Sequence, residues 1–522
     1  LPRSVDQVAA LLAVLRLGAV LVPIDPVQGA ERCRLIAADA APAVLLTAPG
    51  TDLMGITLPT VHTGGESGAP AVELPPLPVP SARAAAYLLY TSGSTGRPKG
   101  VLMHTLGLAS FLTWNLAGHP AARTLQYASC GFDVSVQEVL TTLAGGGTLL
   151  LIEEETRYDI TALAAVVRAT RAERLHLPYT PLAALVEALG EEPVPHLREL
   201  VQGGEQLLLT PALRAFLARN PGCRLLNHYG PTETHGVTVG EAGPDGPDHV
   251  AIGRPVPGNR IVLLDPAGRP TPAGAVGEIH VLGVQVGLGY HGRPQETAAV
   301  FTDTPEGRRY RTGDLGRWRP DGTLEYLGRA DRQVKVRGYR VEPGEVETVL
   351  RTVPGVRGAA VTARRTPTGT TLAGYVQCAA ADLPRVRDQL ADLLPEHMVP
   401  GLWAAVEALP FTTNGKLDAD ALPQPLPLGA GLAAVAPATE LERTVQRLWE
   451  EELGRPAGVE TSFFDLGGHS LAATRLLNRV REATGLRIGV LDFFRRPTIR
   501  AMAAHRPAAD HRPAPAYEEG TL

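Results

Sequence analysis

Apolar and polar positions along the chain follow two periods. Val5 to Leu17 is apolar at helical spacing and predicts an amphipathic helix that stops at Gly18. Val20 to Ile24 is a short continuous apolar run closed by Asp25-Pro26, and it predicts a buried strand. Further strands are expected at Ala85 to Tyr90, Thr148 to Ile152 and Arg198 to Val201, and helices at Ile160 to Thr170 and Thr180 to Leu189. Strands alternating with helices imply parallel sheet covered by helices. From Ala251 the texture turns β-rich with Gly and Pro turns, as at Val276 to Leu282. A charged segment, Gly328 to Glu347, precedes a smaller α+β unit.

Residues 424–437 are rich in Pro, Gly, Leu and Ala without periodicity, the pattern of a linker. Beyond them Thr439 and Glu442 have capping-box spacing. Leu441, Val445, Leu448, Trp449 and Leu453 then share one helical face. A second amphipathic helix carries Leu471, Leu476, Leu477 and Val480 and ends near Gly485. Residues 506–522 are Pro-rich and polar and are expected to be disordered. The expected fold is multidomain: a large α/β unit with parallel sheets over 1–327, a small α+β unit over 328–423, the linker, and an all-α four-helix unit over 438–505.

The chain has 522 residues, enough for two or more cores. Its 49 Lys plus Arg against 54 Asp plus Glu give a net charge of -5, and no basic stripe is visible, which argues against a nucleic-acid partner. Cys33, Cys130, Cys223 and Cys378 form no CxxC pair, which disfavours a disulfide framework or zinc site and fits a reducing cytoplasm. No apolar run is long enough to cross a bilayer, and no signal peptide is seen. The first residue is Leu1 rather than Met, so a trimmed segment is expected.

The densest chemical signal is Tyr-Thr-Ser-Gly-Ser-Thr-Gly-Arg-Pro-Lys-Gly, Tyr90 to Gly100, directly after a strand. Gly93 and Gly96 let backbone N–H groups converge on an anion. Thr91, Ser92, Ser94 and Thr95 add hydroxyls, and Lys99 adds a charge suited to phosphate. The spacing is not that of a Walker loop, because only two residues separate Gly96 from Lys99 and no Ser or Thr follows it.

This block resembles the phosphate loop of the adenylate-forming superfamily, which includes acyl-CoA synthetases, luciferases and nonribosomal peptide synthetase adenylation domains. Other blocks follow in that family's order: NHYGPTET from Asn227, RTGDL from Arg311, GRADRQVKVRGYRVEPGEVE from Gly328 and TNGKLD from Thr413. Asp465 to Leu471, DLGGHSL, is similar to the attachment motif of peptidyl carrier proteins. Two features depart from the pattern: the family's earliest block is missing, so the chain is expected to begin inside the domain, and Leu288 stands where related sequences carry Arg.

The resemblance implies a role for each matching residue. Tyr229 would stack on adenine, Asp314 would accept the ribose hydroxyls and Arg329 would reach ribose or phosphate. Glu233 would ligate Mg²⁺, with Thr232 near the phosphates of ATP. Lys416 would bridge the substrate carboxylate and the α-phosphate. Asp331 would be a hinge about which the small unit rotates, bringing the loop around Gly338 to the site for transfer to a thiol. Ser470 would carry 4'-phosphopantetheine at a helix N-terminus.

The amino-acid pocket would be lined by Asp133, Val134, Gln137, His176, Val201, Gly203, His228, Gly236, Val237 and Lys416. Its pattern resembles pockets selecting proline, with His176, Gly203 and Gly236 as departures that add polarity and room, so a ring-substituted proline is plausible. Serine and glutamine are the alternatives. An acyl- or aryl-acid ligase is disfavoured by Asp133, whose carboxylate suits an α-ammonium group; a decayed ligase serving only as a carrier scaffold is disfavoured because Lys416, Glu233 and Asp314 are all present. The implied partners are a phosphopantetheinyl transferase, downstream synthetase or tailoring domains and a small MbtH-like helper protein.

Overall fold

The structure, a computed structural model, describes residues 1–63, 79–93, 97–336, 338–366, 369–410, 417–419, 421–428, 435–463, 466, 468, 470–486, 488–489, 492–493, 496–505 and 517–519. Ser94, Thr95, Gly96 and Lys416 lie outside the described residues, and Ser470 is described only by its backbone.

The parallel sheet expected from the βα alternation forms from the strands Arg224–Tyr229, Glu199–Gly203, Arg174–Leu177, Arg123–Gln126 and Thr148–Ile152, in that spatial order. Leu125, Leu150, Leu175, Leu200 and Leu225 project from the five strands into one core, each fully buried. Helices Ile160–Ala169, Tyr179–Leu189 and Pro211–Arg219 close over it with Leu163, Leu185 and Leu213. Burial of each such side chain contributes roughly 1.5–3 kcal/mol. Thr238–Ala242 extends the sheet antiparallel on one edge, and Tyr517–Glu519 pairs antiparallel with Thr148–Ile152 on the other. The tail expected to be disordered therefore supplies a three-residue edge strand.

Two strand positions differ from expectation. Val20 to Ile24 forms only a single bridge, Leu21 with Tyr87. The Arg198 strand starts one residue later and runs to Gly203. Thr148–Ile152 falls where the pattern put it, and the first helix is Val5–Arg16.

A hairpin, Ala85–Thr91 with Lys99–His104, carries the phosphate loop as its connection, with Thr91 opposite Lys99. An antiparallel sheet formed by Asn259–Leu264, Gly277–Gly283, Gly307–Trp318, Phe301–Thr304 and Leu324–Arg329 completes the large unit. The small unit opens with the hairpin Val334–Val336 and Tyr339–Val341. Helices Pro343–Thr352 and Leu383–Leu393 then share a core with a three-stranded sheet through Val346, Leu350, Val386, Leu390 and Val361.

The last unit has its own core around Trp449, Phe463, Leu476, Val480, Phe493 and Ile499. The capping box forms as its residues suggest: Glu442 N–H donates to Thr439 Oγ1 at 3.1 Å, and Thr439 N–H returns a bond to Glu442 Oε2 at 3.1 Å. Helix Ser470–Thr484 rests on helix Ile160–Ala169 of the large unit, where Asn478 Nδ2 donates to Thr161 Oγ1 at 2.8 Å. Among the described residues, no helix is long and apolar enough to cross a membrane.

Candidate active site

Strand register builds the floor of the site. His176 pairs with Val201 and Gly203 with His228 across neighbouring parallel strands, so these four residues gather at the carboxyl ends of three strands. In open α/β sheets that end is where ligands bind. Above them lies a cavity of about 420 Å³, lined also by Thr91, Ser92, Asp133, Val134, Gln137, Tyr229, Thr232, Gly236, Asp314, Arg329 and Gly338.

Val237 does not line this cavity. It is fully buried in the core with Val101, Tyr229 and Ile261, because successive residues of an extended segment face opposite ways and Gly236 takes the cavity side. His235, not expected, does line it. Its φ of 58° is left-handed, and its Nδ1 lies 3.2 Å from the Tyr87 hydroxyl and 3.7 Å from Asp133 Oδ2. Burial lowers the pKa of His235, so at neutral pH it is a neutral neighbour. Asp133 opens helix Asp133–Ala144, where Val134 N–H donates to its Oδ1 at 2.9 Å. Among the described residues it has no Lys or Arg ion-pair partner, which leaves it able to receive an ammonium group.

The side walls are polar but neutral. Burial, then the neighbouring histidines His119 and His235, hold His228 down to about 3; burial also drives His176 well below its ordinary value. Gln137 donates from Nε2 to His228 Nδ1 at 3.5 Å. A Cβ on Gly203 would meet nothing closer than 3.6 Å, whereas one on Gly236 would approach the Phe111 ring to 3.1 Å.

At the nucleotide end, Tyr229 donates its hydroxyl to Asp314 Oδ2 at 2.6 Å. Arg329 bridges from Asp314 Oδ1 to Asp331, with Nη1, Nε and Nη2 each donating at 2.7 Å. Glu233 is fully buried, accepting from the Tyr290 hydroxyl on Oε1 and from Arg340 Nη1 on Oε2, each at 2.8 Å. Burial alone would raise its pKa, but Arg340 and Lys99 outweigh that and hold it at about 2. Lys99 stands 4.3 Å over the Tyr290 ring. The phosphate loop turns tightly: a Cβ on Gly93 would lie 2.1 Å from Arg97 O. Among the described residues, the buried Thr91 Oγ1 has no hydrogen-bond partner.

The donor set fits Mg²⁺. Glu233 is an ionised oxygen donor, and among the described residues no cluster of three or more His, Cys, Asp or Glu could hold a metal. Mg²⁺ is commonly held by one or two carboxylates plus substrate phosphates rather than by an all-protein cage.

Gly338, with φ 82°, inserts between Pro178 and Gly204. The same cavity continues past Tyr339, Phe132, Arg157 and Tyr158. Tyr158 also packs against the core of the helical unit, so one cavity runs from Asp314 to that unit. Lys335, to which the resemblance gives no role, lines it as a further cation. Its only sequence signal is an otherwise apolar strand, Val334–Val336.

A cavity at the carboxyl ends of a parallel sheet, a flanking small unit and a helical unit with an attachment motif define an adenylate-forming enzyme joined to a carrier. The AMP-binding enzyme family matches residues 1–291, the AMP-binding enzyme C-terminal domain residues 345–416 and the phosphopantetheine attachment site residues 443–506. The chain belongs to the AMP-binding enzyme family and pairs its adenylation domain with a carrier domain, as nonribosomal peptide synthetases do. These matches imply use of ATP and a covalent phosphopantetheine.

Tyrocidine synthase 2 of Brevibacillus parabrevis is 38% identical over 531 residues, covering 97% of this chain and 14% of its own length. Phosphinothricin tripeptide synthetase PhsC of Streptomyces viridochromogenes is 38% identical over 522 residues, covering 96% and 47%. This chain thus spans well under two thirds of either relative. Among solved structures, holo-PA1221, an NRPS protein containing adenylation and PCP domains bound to a vinylsulfonamide inhibitor, superposes with a TM-score of 0.81 at 29% identity, covering 96% of this chain and 85% of that one.

Proposed function

We propose that the chain activates an amino acid with ATP and passes it to its own carrier domain in nonribosomal peptide biosynthesis. The observation that carries this reading is the single cavity joining Asp133, Asp314 and Gly338 and ending at Tyr158 against the carrier. In the first half-reaction a carboxylate oxygen of the amino acid bonds to the α-phosphorus of ATP while the bond to the β-phosphate breaks. The products are aminoacyl-AMP and pyrophosphate. Asp133 holds the ammonium group, Tyr229 and Asp314 hold adenosine, and Lys416 neutralises charge between carboxylate and α-phosphate. Glu233 would hold Mg²⁺ together with the ATP phosphates, and the ion would supply neutralisation of phosphate charge.

In the second half-reaction the carbonyl–oxygen bond to AMP breaks as a carbonyl–sulfur bond forms, and the thiol proton passes to solvent. Phosphopantetheine on Ser470 supplies that thiol. Asp331 is the hinge between the two steps, and Gly338 lets backbone pass beside the arm. A phosphopantetheinyl transferase installs the arm, downstream synthetase or tailoring domains receive the product, and a small MbtH-like protein is the candidate helper. The site of action is the cytoplasm, in keeping with the four free cysteines.

The substrate class we favour is proline or a ring-substituted proline. Asp133 suits a ring ammonium, and the neutral imidazoles of His176 and His228 offer no partner to a charged side chain, whose desolvation is costly. Serine and glutamine are the competing readings through His176 and Gln137. The test is ATP–pyrophosphate exchange across the common amino acids: exchange with none of them, by folded protein supplied with helper, overturns the reading.

A further inference from the structure

The amino-acid end of the cavity carries unmet polar atoms. His176, His228 and His235 all line it, and each side chain is more than nine-tenths buried. Among the described residues, Nε2 of each ring is buried and has no hydrogen-bond partner. The other nitrogen is engaged in two of them: His228 Nδ1 accepts from Gln137 Nε2 at 3.5 Å, and His235 Nδ1 lies 3.2 Å from the Tyr87 hydroxyl. A neutral imidazole holds one proton, so His228 carries its proton on Nε2 as a donor. Aromatic packing sets two of the rings: Phe111 meets His235 edge to face with centroids 4.3 Å apart, and Trp114 lies 5.8 Å from His228. Burial comes first in lowering the pKa of His228 and of His176. His119 and His235 then act on His228, and His228 acts on His176, so the three rings are electrostatic neighbours.

A pocket for a hydrocarbon would need none of these nitrogens, and a buried polar group without a partner is strongly disfavoured. Departures of this kind from local rules concentrate at functional sites. Water can meet the nitrogens in the open cavity, but a hydrocarbon side chain that displaces it cannot reproduce its bonds. A hydroxyl or an amide can, because each both donates and accepts. A carboxylate cannot donate and an ammonium cannot accept, and either brings a charge that neutral imidazoles do not pair.

We propose that the substrate's side chain bears a neutral oxygen, as hydroxyl or amide, received by His176, His228 and His235, and that His235 is a specificity-determining residue of this pocket. This rests on the adenylation reading and narrows its substrate class: among ring-substituted prolines, the hydroxylated form is selected over the methylated one. The left-handed backbone of His235, φ 58°, sets its Nδ1 within 3.2 Å of Tyr87 and 3.7 Å of Asp133 Oδ2, so the ring that meets the side chain stands beside the carboxylate that meets the ammonium.

The test is ATP–pyrophosphate exchange by the full chain with helper, run on pairs that differ by the oxygen: 4-hydroxyproline against proline and 4-methylproline, serine against alanine, and glutamine against homoleucine. A site built around a side-chain oxygen rejects the analogue that lacks it. In the pair exchanged fastest, kcat/KM for the oxygenated member should exceed that of its partner at least tenfold. His228→Leu and His235→Asn, the latter tolerant of left-handed backbone, should each cut that ratio at least threefold. A merely structural role would lower both members equally and leave the ratio. The ratio on the unsubstituted chain decides the matter if the variants fail to fold. A ratio below tenfold in the fastest pair, or a fall of less than threefold in both folded variants, overturns the proposal. Exchange without preference for the oxygen would strike this proposal and spare adenylation, whereas exchange with no amino acid strikes the functional reading itself.

Discussion

Tyr229 donates its hydroxyl to Asp314 over 2.6 Å, so the ring that would face adenine and the carboxylate that would face ribose form one unit. Hydrogen bonds to a charged acceptor contribute roughly 1.5–3 kcal/mol. Tyr229→Phe keeps the aromatic face but frees Asp314 to turn towards Arg329. We expect the KM for ATP in pyrophosphate exchange to rise roughly tenfold or more, with the KM for the amino acid moved far less. Equal changes in both would mean that Asp314 does not serve the nucleotide.

Gly338 carries φ 82°, and a Cβ there would lie 3.0 Å from Pro178 Cγ. Left-handed backbone costs a non-glycine residue roughly 1–2 kcal/mol before any clash. Gly338→Leu should therefore disfavour insertion of the loop. We expect transfer to the carrier to fall at least tenfold more than exchange does, compared by single-turnover loading of holo protein and by exchange. Parallel loss of both would remove Gly338 from the transfer step.

Much of this was legible in the sequence, for a physical reason. The glycine-rich loop, the Tyr229 and Asp314 blocks and the carrier motif are local, and local spacing survives without knowledge of the fold. The βα alternation likewise yielded the strand Thr148–Ile152 to the residue. What failed depends on facing. The place of Val237 in the motif blocks implies a pocket residue, but the backbone turns it into the core, and the left-handed His235 takes the place beside Asp133. Arg340 and Glu345 lie within a charged stretch whose partners, Glu233 and Gly93, are 107 and 252 residues away, so no window of sequence could pair them.

Ser470 opens helix Ser470–Thr484, and that helix rests on the large unit through Asn478 and Thr161. Ser470→Ala removes the proposed attachment oxygen and leaves the nucleotide blocks untouched. We expect intact-protein mass spectrometry to show neither the phosphopantetheine nor the aminoacyl adduct, while ATP–pyrophosphate exchange continues. Loading in the variant would place the attachment elsewhere.

Acid should destabilise the large unit early. His228 is held down to about 3 by burial and its histidine neighbours, and His280 to about 4 by burial and then Arg309 and Arg311. An unfolded histidine titrates near about 6.5. Between that value and the folded ones the unfolded chain binds more protons, so stability rises with pH there and is lost as pH falls below about 6.5. The loss at pH 5 should be on the order of 1–2 kcal/mol per histidine. Denaturant midpoints at pH 7 and pH 5 check this, and His228→Asn should shrink the difference. An identical pH dependence in that variant would show that His228 does not stay neutral in the fold.

The substrate prediction follows from the pocket's charge and size together. Asp133 is the carboxylate beside His235, and the imidazoles of His176 and His228 are neutral. A side-chain ammonium or carboxylate would enter without a partner, so lysine, arginine, aspartate and glutamate should exchange poorly. Gly203 leaves space beside His228, enough for a substituent on a small ring. One methylene discriminates by only about 1–3 kcal/mol, so proline, 4-methylproline, 4-hydroxyproline and pipecolate should compete within a range of roughly ten- to two-hundredfold. Serine and glutamine belong in the same panel, since His176 and Gln137 could bond a hydroxyl or an amide. Gly203→Ala adds a Cβ with its nearest neighbour at 3.6 Å, so the fold should tolerate it while the largest ring loses most. Exchange with serine or glutamine exceeding every cyclic imino acid tenfold would overturn the proline assignment and make His176 or Gln137 the residue that selects the side chain.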